Sequence, residues 1–301
     1  RKFPEQLIRP REHYEKIQTP TLIIQGWYDY SLDGGLEMYT LLKNHGQVKP
    51  RMILGPWNHL LGSTGTGFDF GHSASKHGMD FNGMQLRYFD QYLKDQPSGV
   101  SEDAPVRLYV MGENTWRDEK EWPLARTQYQ EWYLHSDGDA KGDGGRLSPQ
   151  SPEVAEPQDA YVYDPRHPAP TIGGAVGGAG MLDGSGVGPQ DQRPLEARID
   201  VLVYTSDPLT EALEVTGPLT FKLHAASSAL DTDFMVNLCD VYPDGSSQIL
   251  ANGILRARYR NSLDQAELLE PGQVYEYTID LKGTSNLFKL GHRIRLDITS
   301  S

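Results

Sequence analysis

Two residues early in the sequence are spaced to act together on a proton. Asp29 follows a predicted strand over residues 19–25, and His59 stands four residues beyond a predicted strand over residues 51–55. Because the carboxyl ends of neighbouring parallel strands meet at one edge of a sheet, we expect the two side chains to lie within hydrogen-bond reach there. A carboxylate bonded to an imidazole fixes its tautomer and stabilises the imidazolium that forms when the ring takes a proton, as in Ser-His-Asp catalysis.

A second interpretation of the same residues needs no chemistry. Asp29 can cap a helix that starts near Leu32, and His59 can be a solvated loop histidine. The spacing supports the two interpretations about equally, so the geometry of the pair has to distinguish them.

The segments around the pair follow the order strand, helix, strand. Both strands are short apolar runs, and residues 32–42 between them place apolar side chains at near-helical spacing after a candidate cap at Ser31. This order predicts one βαβ unit of a parallel sheet, a fold whose strand ends carry the chemistry. Two further helices, over residues 10–17 and 79–93, and a loop over residues 61–78 are predicted around the unit.

The pattern changes to alternating apolar and polar residues from Val106 onward. Strands without intervening helices are typical of a β-sandwich or jelly roll. The predicted strands cover residues 106–111, 131–134, 201–204, 219–223, 234–238, 274–279 and 294–298. The fold class is therefore α/β plus all-β, with residues 1–125 as the α/β part and residues 126–301 as a β domain truncated at its C-terminus.

Two tryptophans mark the predicted junction of these parts. We expect an antiparallel two-sheet domain, starting near residue 126, to pack on the first part through Trp116 and Trp122. The charged residues 117–121 between the two rings should face solvent or form ion pairs across the junction.

A Ser-His-Asp mechanism needs a nucleophile, and the G-x-S-x-G elbow of α/β-hydrolases is absent from the sequence. The nearest match is Gly71-His-Ser-Ala-Ser75, which lacks the second glycine and follows His59, although the order in that fold is Ser, Asp, His. Ser73 is therefore a poor nucleophile, and we expect the serine to lie upstream of residue 1. Both chain ends look cut, which favours a piece of a longer protein.

Length and charge limit the classes of partner. The 301 residues are about twice the usual domain length, which favours two domains. The net charge of −13 is unevenly distributed. Residues 1–125 contain 14 Lys and Arg and 16 Asp and Glu, whereas residues 126–301 contain 14 Lys and Arg and 25 Asp and Glu. An acidic surface repels phosphate, so no nucleic acid and no membrane is expected as a partner. The compartment stays open, with cytoplasm slightly favoured over secretion.

The cysteine and histidine pattern predicts no metal site and no cofactor. Cys239 is the only cysteine and lies in an apolar run, which is typical of a buried, inert thiol and excludes an intrachain disulfide and a zinc site built on cysteines. His72 and His77 flank the loop after His59, but their spacing fits no zinc motif, so they are expected to be solvated.

Several motifs in one order resemble the cocaine-esterase-like acyl hydrolases, which group with α-amino-acid ester hydrolases and Xaa-Pro dipeptidyl-peptidases. The resemblance runs from about residue 10 to the end of the chain. The motifs are Gly26-Trp-Tyr-Asp29, Gly55-Pro-Trp-Asn-His59, Val110-Met-Gly-Glu-Asn-Thr-Trp-Arg117 with Trp122-Pro123, Tyr163-Asp-Pro165, Gln190-Asp-Gln-Arg-Pro194, Ser228-Ala-Leu-Asp-Thr-Asp-Phe234 and Gly291-His-Arg-Ile294.

The resemblance implies the end of an α/β-hydrolase domain followed by a β jelly-roll domain of the galactose-binding type. Asp29 matches the family's catalytic aspartate and His59 its catalytic histidine, while the serine elbow and the oxyanion-hole tyrosine have no counterpart here. Trp27, Tyr28 and Trp57 adjoin the pair and are candidates to line a substrate pocket. The implied partners are a small-molecule ester, amide or peptide substrate and the N-terminal hydrolase and cap segments of the same protein, with a homo-oligomer left open.

Two hypotheses of different classes follow. In the first, the chain is the C-terminal part of a serine hydrolase that cleaves ester or amide bonds and is inactive alone. In the second, it is a non-catalytic carbohydrate- or protein-binding jelly roll that retains a hydrolase remnant. A serine elbow upstream in the same protein would distinguish the first hypothesis from the second.

Overall fold

The structure is a computed structural model, which describes residue 14 and residues 16–45, 49–60, 68–175 and 186–301. The predicted helix over residues 10–17 and the predicted loop over residues 61–78 lie partly outside the described residues. In the part of the chain that the structure describes, no helix is both long and apolar enough to cross a membrane.

The first part of the chain forms a sheet with helices around it. Its elements are β1 (Leu22–Gly26), α1 (Leu32–His45), β2 (Arg51–Gly55), α2 (Phe81–Leu93), β3 (Val106–Val110) and β4 (Thr115–Glu119). The sheet order is β1-β2-β3-β4, in which β1, β2 and β3 are parallel and β4 returns antiparallel beside β3. The predicted βαβ unit is confirmed, although α1 runs three residues beyond the predicted end at position 42.

β4 was not predicted because its sequence, Thr-Trp-Arg-Asp-Glu, is largely polar. The strand lies at the edge of the sheet, and four of its five side chains are exposed or half-buried. Such a strand carries little of the apolar alternation on which sequence-based prediction depends.

The regular elements of the second part of the chain are almost all strands. Its elements are β5 (Tyr133–His135), β6 (Gly145–Ser148), α3 (Arg193–Glu196), β7 (Leu202–Thr205), β8 (Leu213–Ala225), β9 (Asp233–Val241), β10 (Ser247–Arg256), β11 (Tyr275–Phe288) and β12 (Arg293–Thr299). One sheet has the order β10-β9-β12-β7-β6-β5, and β11 pairs with β8 in another. The predicted fold class, α/β plus all-β, is confirmed at this level.

The expectation of purely antiparallel sheets is wrong at one pair of strands. β6 and β7 run parallel, with Gly145 opposite Tyr204 and Arg146 opposite Thr205. A parallel pair needs a crossover connection, and the chain supplies one in the long segment between the two strands, which includes α3. The spacing of apolar residues predicts where strands lie, but it does not predict whether two strands joined by a long connection run parallel or antiparallel.

One continuous core joins the two parts. Buried side chains from the first sheet, such as Trp27 and Tyr109, belong to the same cluster as Leu250 and Phe288 from the strands of the second part. Met111 also bonds across the junction through its backbone, since its N–H donates to Ser285 O at 2.9 Å and its carbonyl accepts from Leu287 N at 2.8 Å. The first sheet is therefore packed and hydrogen-bonded onto the β part.

The two junction tryptophans have different surroundings. Trp122 is buried, its ring centroid lies 5.8 Å from that of Trp27, and it packs close to Gly283 of β11. Trp116 instead lies against Trp57 and Tyr109 of the first part, at centroid distances of 5.5 and 5.2 Å. The predicted junction contact is therefore observed for Trp122, while Trp116 packs on rings of its own part.

The predicted ion pair across the junction is present. Arg117 Nη1 and Nη2 donate to the two carboxylate oxygens of Glu214 on β8, at 2.8 and 2.6 Å. This bidentate contact holds the pKa of the Glu214 carboxyl below its usual value. A charge of the first sheet is thus fixed to the β part at a defined register.

Two buried tyrosines provide a matched test of this core. The Tyr109 hydroxyl donates to the Phe70 carbonyl at 2.5 Å, whereas the Tyr277 hydroxyl has no hydrogen-bond partner among the described residues. We expect Tyr277→Phe to raise the free energy of unfolding by about 1 kcal/mol, because it removes an unsatisfied buried group, and Tyr109→Phe to lower it by about 1–2 kcal/mol. Chemical denaturation of both variants measures the difference, and equal destabilisation by the two changes would contradict it.

Candidate active site

Asp29 lies at the carboxyl end of β1, and the residue is buried, with only 4% of its surface exposed. One oxygen, Oδ1, accepts from the backbone N–H and the hydroxyl of Ser31, both at 2.8 Å. The carbonyl of Asp29 accepts from Leu32 N at 3.1 Å, at the first residue of α1. Asp29 therefore does hold the start of the helix, as the interpretation without chemistry expects.

The same carboxylate also contacts His59. Nδ1 of the ring lies 3.1 Å from each of the two Asp29 oxygens, so the predicted hydrogen-bond contact is confirmed. An ionised carboxylate can only accept, so the contact requires a proton on Nδ1 and, in the neutral ring, leaves the lone pair on Nε2. The His59 side chain is 41% exposed, which keeps the ring accessible to a proton donor.

Backbone hydrogen bonds hold the loops that carry the pair against each other. Trp27 N donates to Gly55 O at 2.8 Å, and Tyr28 N donates to Trp57 O at 3.0 Å. A side chain at Gly26 would overlap the Trp57 carbonyl, because a Cβ atom there would lie much closer than 3.0 Å to the carbonyl oxygen, and Cβ atoms in proteins essentially never approach another heavy atom closer than 3.0 Å. The glycine that ends β1 thus permits the close approach that brings Asp29 to His59.

Tyr30 and Ser31 contact the pair, although the sequence reasoning did not assign them to it. The Tyr30 hydroxyl lies 3.4 Å from His59 Nε2, and the two rings are 4.6 Å apart between centroids. Ser31 was considered only as a helix cap, yet its hydroxyl donates to Asp29. Their position directly after Asp29 was the available signal, because residues next to a carboxylate in a tight turn fold back onto it.

The three candidate pocket residues are buried in the core. Trp27 Nε1 donates to Tyr109 O at 2.8 Å, Trp57 Nε1 donates to Ala74 O at 2.6 Å, and the Tyr28 hydroxyl donates to Ile249 O at 3.3 Å. Burial, followed by neighbouring acidic groups, raises the pKa of Tyr28 well above its usual value. These contacts are those of packing residues, and a role in lining a substrate pocket stays a prediction.

Ser73 and its flanking histidines are exposed around a short 3₁₀ turn at His72–Ala74. This turn is tied to the sheet, since the Ser73 carbonyl accepts from Trp116 Nε1 at 2.8 Å. The described hydrogen bonds include none between Ser73 and His59. The described part of the chain also shows no group of three possible metal ligands that contains His59, His72 or His77.

Two family models match this sequence. Residues 6–61 match the model described as X-Pro dipeptidyl-peptidase (S15 family), and residues 98–301 match the X-Pro dipeptidyl-peptidase C-terminal non-catalytic domain. The second match covers more than half of the chain. The chain belongs to the X-Pro dipeptidyl-peptidase family. The family resemblance inferred from the motifs is confirmed.

Relatives of this X-Pro dipeptidyl-peptidase family member include proteins named as hydrolases. The chain is 40% identical to the cocaine esterase of Rhodococcus sp. (strain MB1 Bresler) over 289 residues, which cover 95% of this chain and 49% of the esterase. Its structure is similar to that of an aminopeptidase from a marine sediment archaeon, Thaumarchaeota archaeon, with a TM-score of 0.79 and 30% identity over 97% of this chain and 49% of that one. An α-amino-acid ester hydrolase labelled with selenomethionine gives a TM-score of 0.81 and 27% identity over 97% and 50% of the two chains.

The chain spans about half the length of the curated relatives it matches. Its family is therefore one of esterases and X-Pro peptidases, and the chain corresponds to the C-terminal part of such a protein.

Gly26 allows a test of the close approach that forms the pair. We expect Gly26→Ala to lower the free energy of unfolding by about 2–4 kcal/mol, because the Trp57 carbonyl cannot move without breaking its bond to Tyr28 N. Gly34 in α1 is the matched control, since a Cβ there meets nothing within 4 Å, and Gly34→Ala should stabilise the helix by about 0.5–1 kcal/mol. Thermal or urea unfolding measures both, and a neutral effect of Gly26→Ala would contradict the packing argument.

Proposed function

We propose that the chain is the C-terminal part of a serine hydrolase that cleaves ester or amide bonds, in acyl or Xaa-Pro peptide substrates, through an acyl-enzyme. The observation that carries the proposal is the hydrogen bond between Asp29 and the Nδ1 atom of His59, at the carboxyl ends of two neighbouring parallel strands. Membership of a family of esterases and X-Pro peptidases supports the same chemistry.

In this mechanism His59 moves the proton and Asp29 orients the ring. Nε2 takes the proton of a serine hydroxyl while the serine oxygen bonds to the carbonyl carbon of the substrate, and the resulting imidazolium is stabilised by the buried carboxylate. Nε2 then gives this proton to the departing alcohol or amine, which leaves an acyl-serine. Water attacks that acyl group, again with Nε2 as the base, and the acid is released with the serine restored.

The serine belongs, in this proposal, to a segment that precedes the chain. No G-x-S-x-G sequence occurs in the 301 residues, and β1 is an edge strand of the described sheet. An apolar edge strand accepts further strands. Strands that extend the sheet beyond β1 in parallel would bring their own carboxyl ends to the edge where Asp29 and His59 lie.

The exposed face of α2 supports the same partner. Leu86, Phe89 and Leu93 repeat at spacings of three and four residues, which places them on one side of the helix, and all three are exposed in the described structure. A stripe of this kind is typical of a surface that packs against another element. We assign it to the preceding hydrolase and cap segments of the same protein.

The domain division is also part of the proposal. We place the hydrolase part in residues 1–125 and a jelly-roll domain in residues 126–301, because the strands of the first sheet end at Glu119 and the next strand starts at Tyr133. The second family model starts earlier, at residue 98, and so includes β3 and β4. The substrate is a small ester, amide or peptide, as the names of the relatives suggest.

Removal of the His59 imidazole tests the catalytic assignment. In the full-length protein His59→Ala should lower kcat for p-nitrophenyl acetate by several orders of magnitude, in line with the roughly 10⁶-fold loss when a triad histidine is removed. His72→Ala is the matched control, because His72 is an exposed loop histidine, and it should leave kcat unchanged. Equal activity of the His59→Ala variant and the parent would overturn the assignment.

The 301 residues alone should be nearly inert toward the same ester. His59 only relays a proton and Asp29 only orients it, so a chain without the serine has no atom to take the acyl group. A burst and steady-state assay of the chain, with and without the separately produced N-terminal segment, measures this. Activity of the chain alone that a serine-directed phosphonate blocks would show a nucleophile within it, with Ser73 tested first by Ser73→Ala.

A further inference from the structure

A group of buried polar side chains lies on the face of the six-stranded sheet opposite the main core. Cys239 on β9 and Asp297 on β12 project from this face, and Glu196 reaches it from α3. The Sγ atom and one carboxylate oxygen of each acid all lie within 4.8 Å of one another. Exposed fractions of 0%, 1% and 6% show that the three groups are removed from water.

The register of β9 and β12 explains why these groups meet. Asp297 stands opposite Asn237, and Arg295 stands opposite Cys239, so the four side chains share one face. The alternate residues, which include Val236, Leu238 and Ile298, belong to the main core on the other face.

The charges of the group are only partly compensated within the protein. Arg295 Nη1 donates to Glu196 Oε2 at 2.5 Å, while its Nε donates to Thr205 and its Nη2 lies 3.5 Å from the exposed Asp143. The remaining acid, Asp297, has no lysine, arginine or histidine ion-pair partner in the described part of the chain, and its Oδ2 lies 3.6 Å from the Cys239 thiol. Burial raises the pKa values of Asp297 and Cys239 well above their usual ranges, because it disfavours the charged form of each.

Unsatisfied oxygens point independently to a missing partner. Oδ1 of Asp297 and Oδ1 of Asn237 are both buried without a hydrogen-bond partner among the described residues. Asn237 is itself 2% exposed, and it is uncharged, so its orphan carbonyl is not explained by the acids around it. Buried acceptors without donors are costly, and these two belong to residues that stand opposite each other on neighbouring strands, so a shared cation would compensate both.

We propose that Glu196, Cys239 and Asp297 form a binding site for a thiophilic divalent cation such as Zn²⁺, with the Asn237 carbonyl as a fourth ligand. Zinc bonds to sulfur at about 2.3 Å and to carboxylate oxygen at about 2.0–2.2 Å, so a tetrahedral site separates these two ligand atoms by about 3.6 Å. The Cys239 Sγ to Asp297 Oδ2 distance has this value. Glu196 can offer Oε1 to the cation while Oε2 stays on Arg295.

Binding would exchange protons for the metal. The metal binds the thiolate of Cys239 and the carboxylates, so protons held by these groups are released on binding. The two carboxylates and the thiolate carry three negative charges, and the divalent cation and Arg295 carry three positive charges, so the loaded site is neutral. The site departs from the sequence-based expectation of no metal, because its ligands are distant in sequence and fit no spacing motif.

Cobalt spectroscopy of the full 301-residue chain tests the site without any activity assay. Because Cys239 is the only cysteine, a thiolate-to-cobalt charge-transfer band in the wild-type chain can come from no other residue. We expect one Co²⁺ per chain with this band, displacement by Zn²⁺, and release of protons on binding in calorimetry with buffers of different ionisation enthalpy. Equilibration has to be long, since the ligands are buried.

Variants then assign the ligands. Loss of a group that only supports a metal ligand typically weakens binding by roughly 10–100-fold. Cys239→Ser and Asp297→Asn each remove a ligand itself and should weaken Zn²⁺ binding by more than this. A His72→Ala, His77→Ala double variant removes exposed imidazoles that bind zinc adventitiously and should keep the site intact. No charge-transfer band in the wild-type chain, or zinc binding that survives Cys239→Ser and disappears in the histidine variant, would overturn the proposal. Circular dichroism shows whether Cys239→Ser folds. If it does not, the presence or absence of the charge-transfer band in the wild-type chain still decides whether the site exists.

Discussion

A buried carboxylate needs hydrogen-bond donors around it, and the positions of the donors to the Asp29 carboxylate determine how the neighbouring helix and loop are arranged. Its donors come from Ser31, at the start of α1, and from His59, beyond β2. The helix can begin only where Ser31 folds back onto the carboxylate, and the loop after β2 has to bring an imidazole to the same place. One desolvated charge thereby fixes the helix start, the loop and the tautomer of the histidine.

This arrangement depends in turn on the β part of the chain. The Tyr28 hydroxyl donates to the carbonyl of Ile249 on β10, so the residue before Asp29 is anchored outside its own sheet. Met111, directly after β3, bonds to the backbone of β11 through both its N–H, which donates, and its carbonyl, which accepts. Strands β10 and β11, which lie within the residues that match the non-catalytic domain model, thus hold the ends of β1 and β3 in position. A β domain without catalytic residues can therefore support the geometry of a site through packing and backbone bonds.

Local sequence patterns were sufficient for the elements that build the pair. β2 has the predicted bounds, and β1 and α1 differ from prediction by a few residues. These elements are predictable because the spacing of apolar residues within each one indicates whether it is a buried strand or an amphipathic helix. The contact between Asp29 and His59 followed from the geometry of parallel strand ends rather than from any single residue. β10 was missed because Ala-Asn-Gly interrupts its apolar alternation, at a place where its register with β9 shifts.

Interactions that depend on register between distant strands could not be predicted in this way. Cys239 was correctly expected to be buried, but its own apolar run says nothing of Asp297, which reaches it only because β12 pairs with β9 in one register. A slip of one residue would turn Asp297 toward the main core and bring Ile294 or Leu296 opposite Cys239. Burying a carboxyl group in that apolar layer would cost roughly several kcal/mol. The polar cluster therefore disfavours the shifted register of β12 against β9. The groups that are least visible in the sequence therefore help to specify the register of the sheet that contains them.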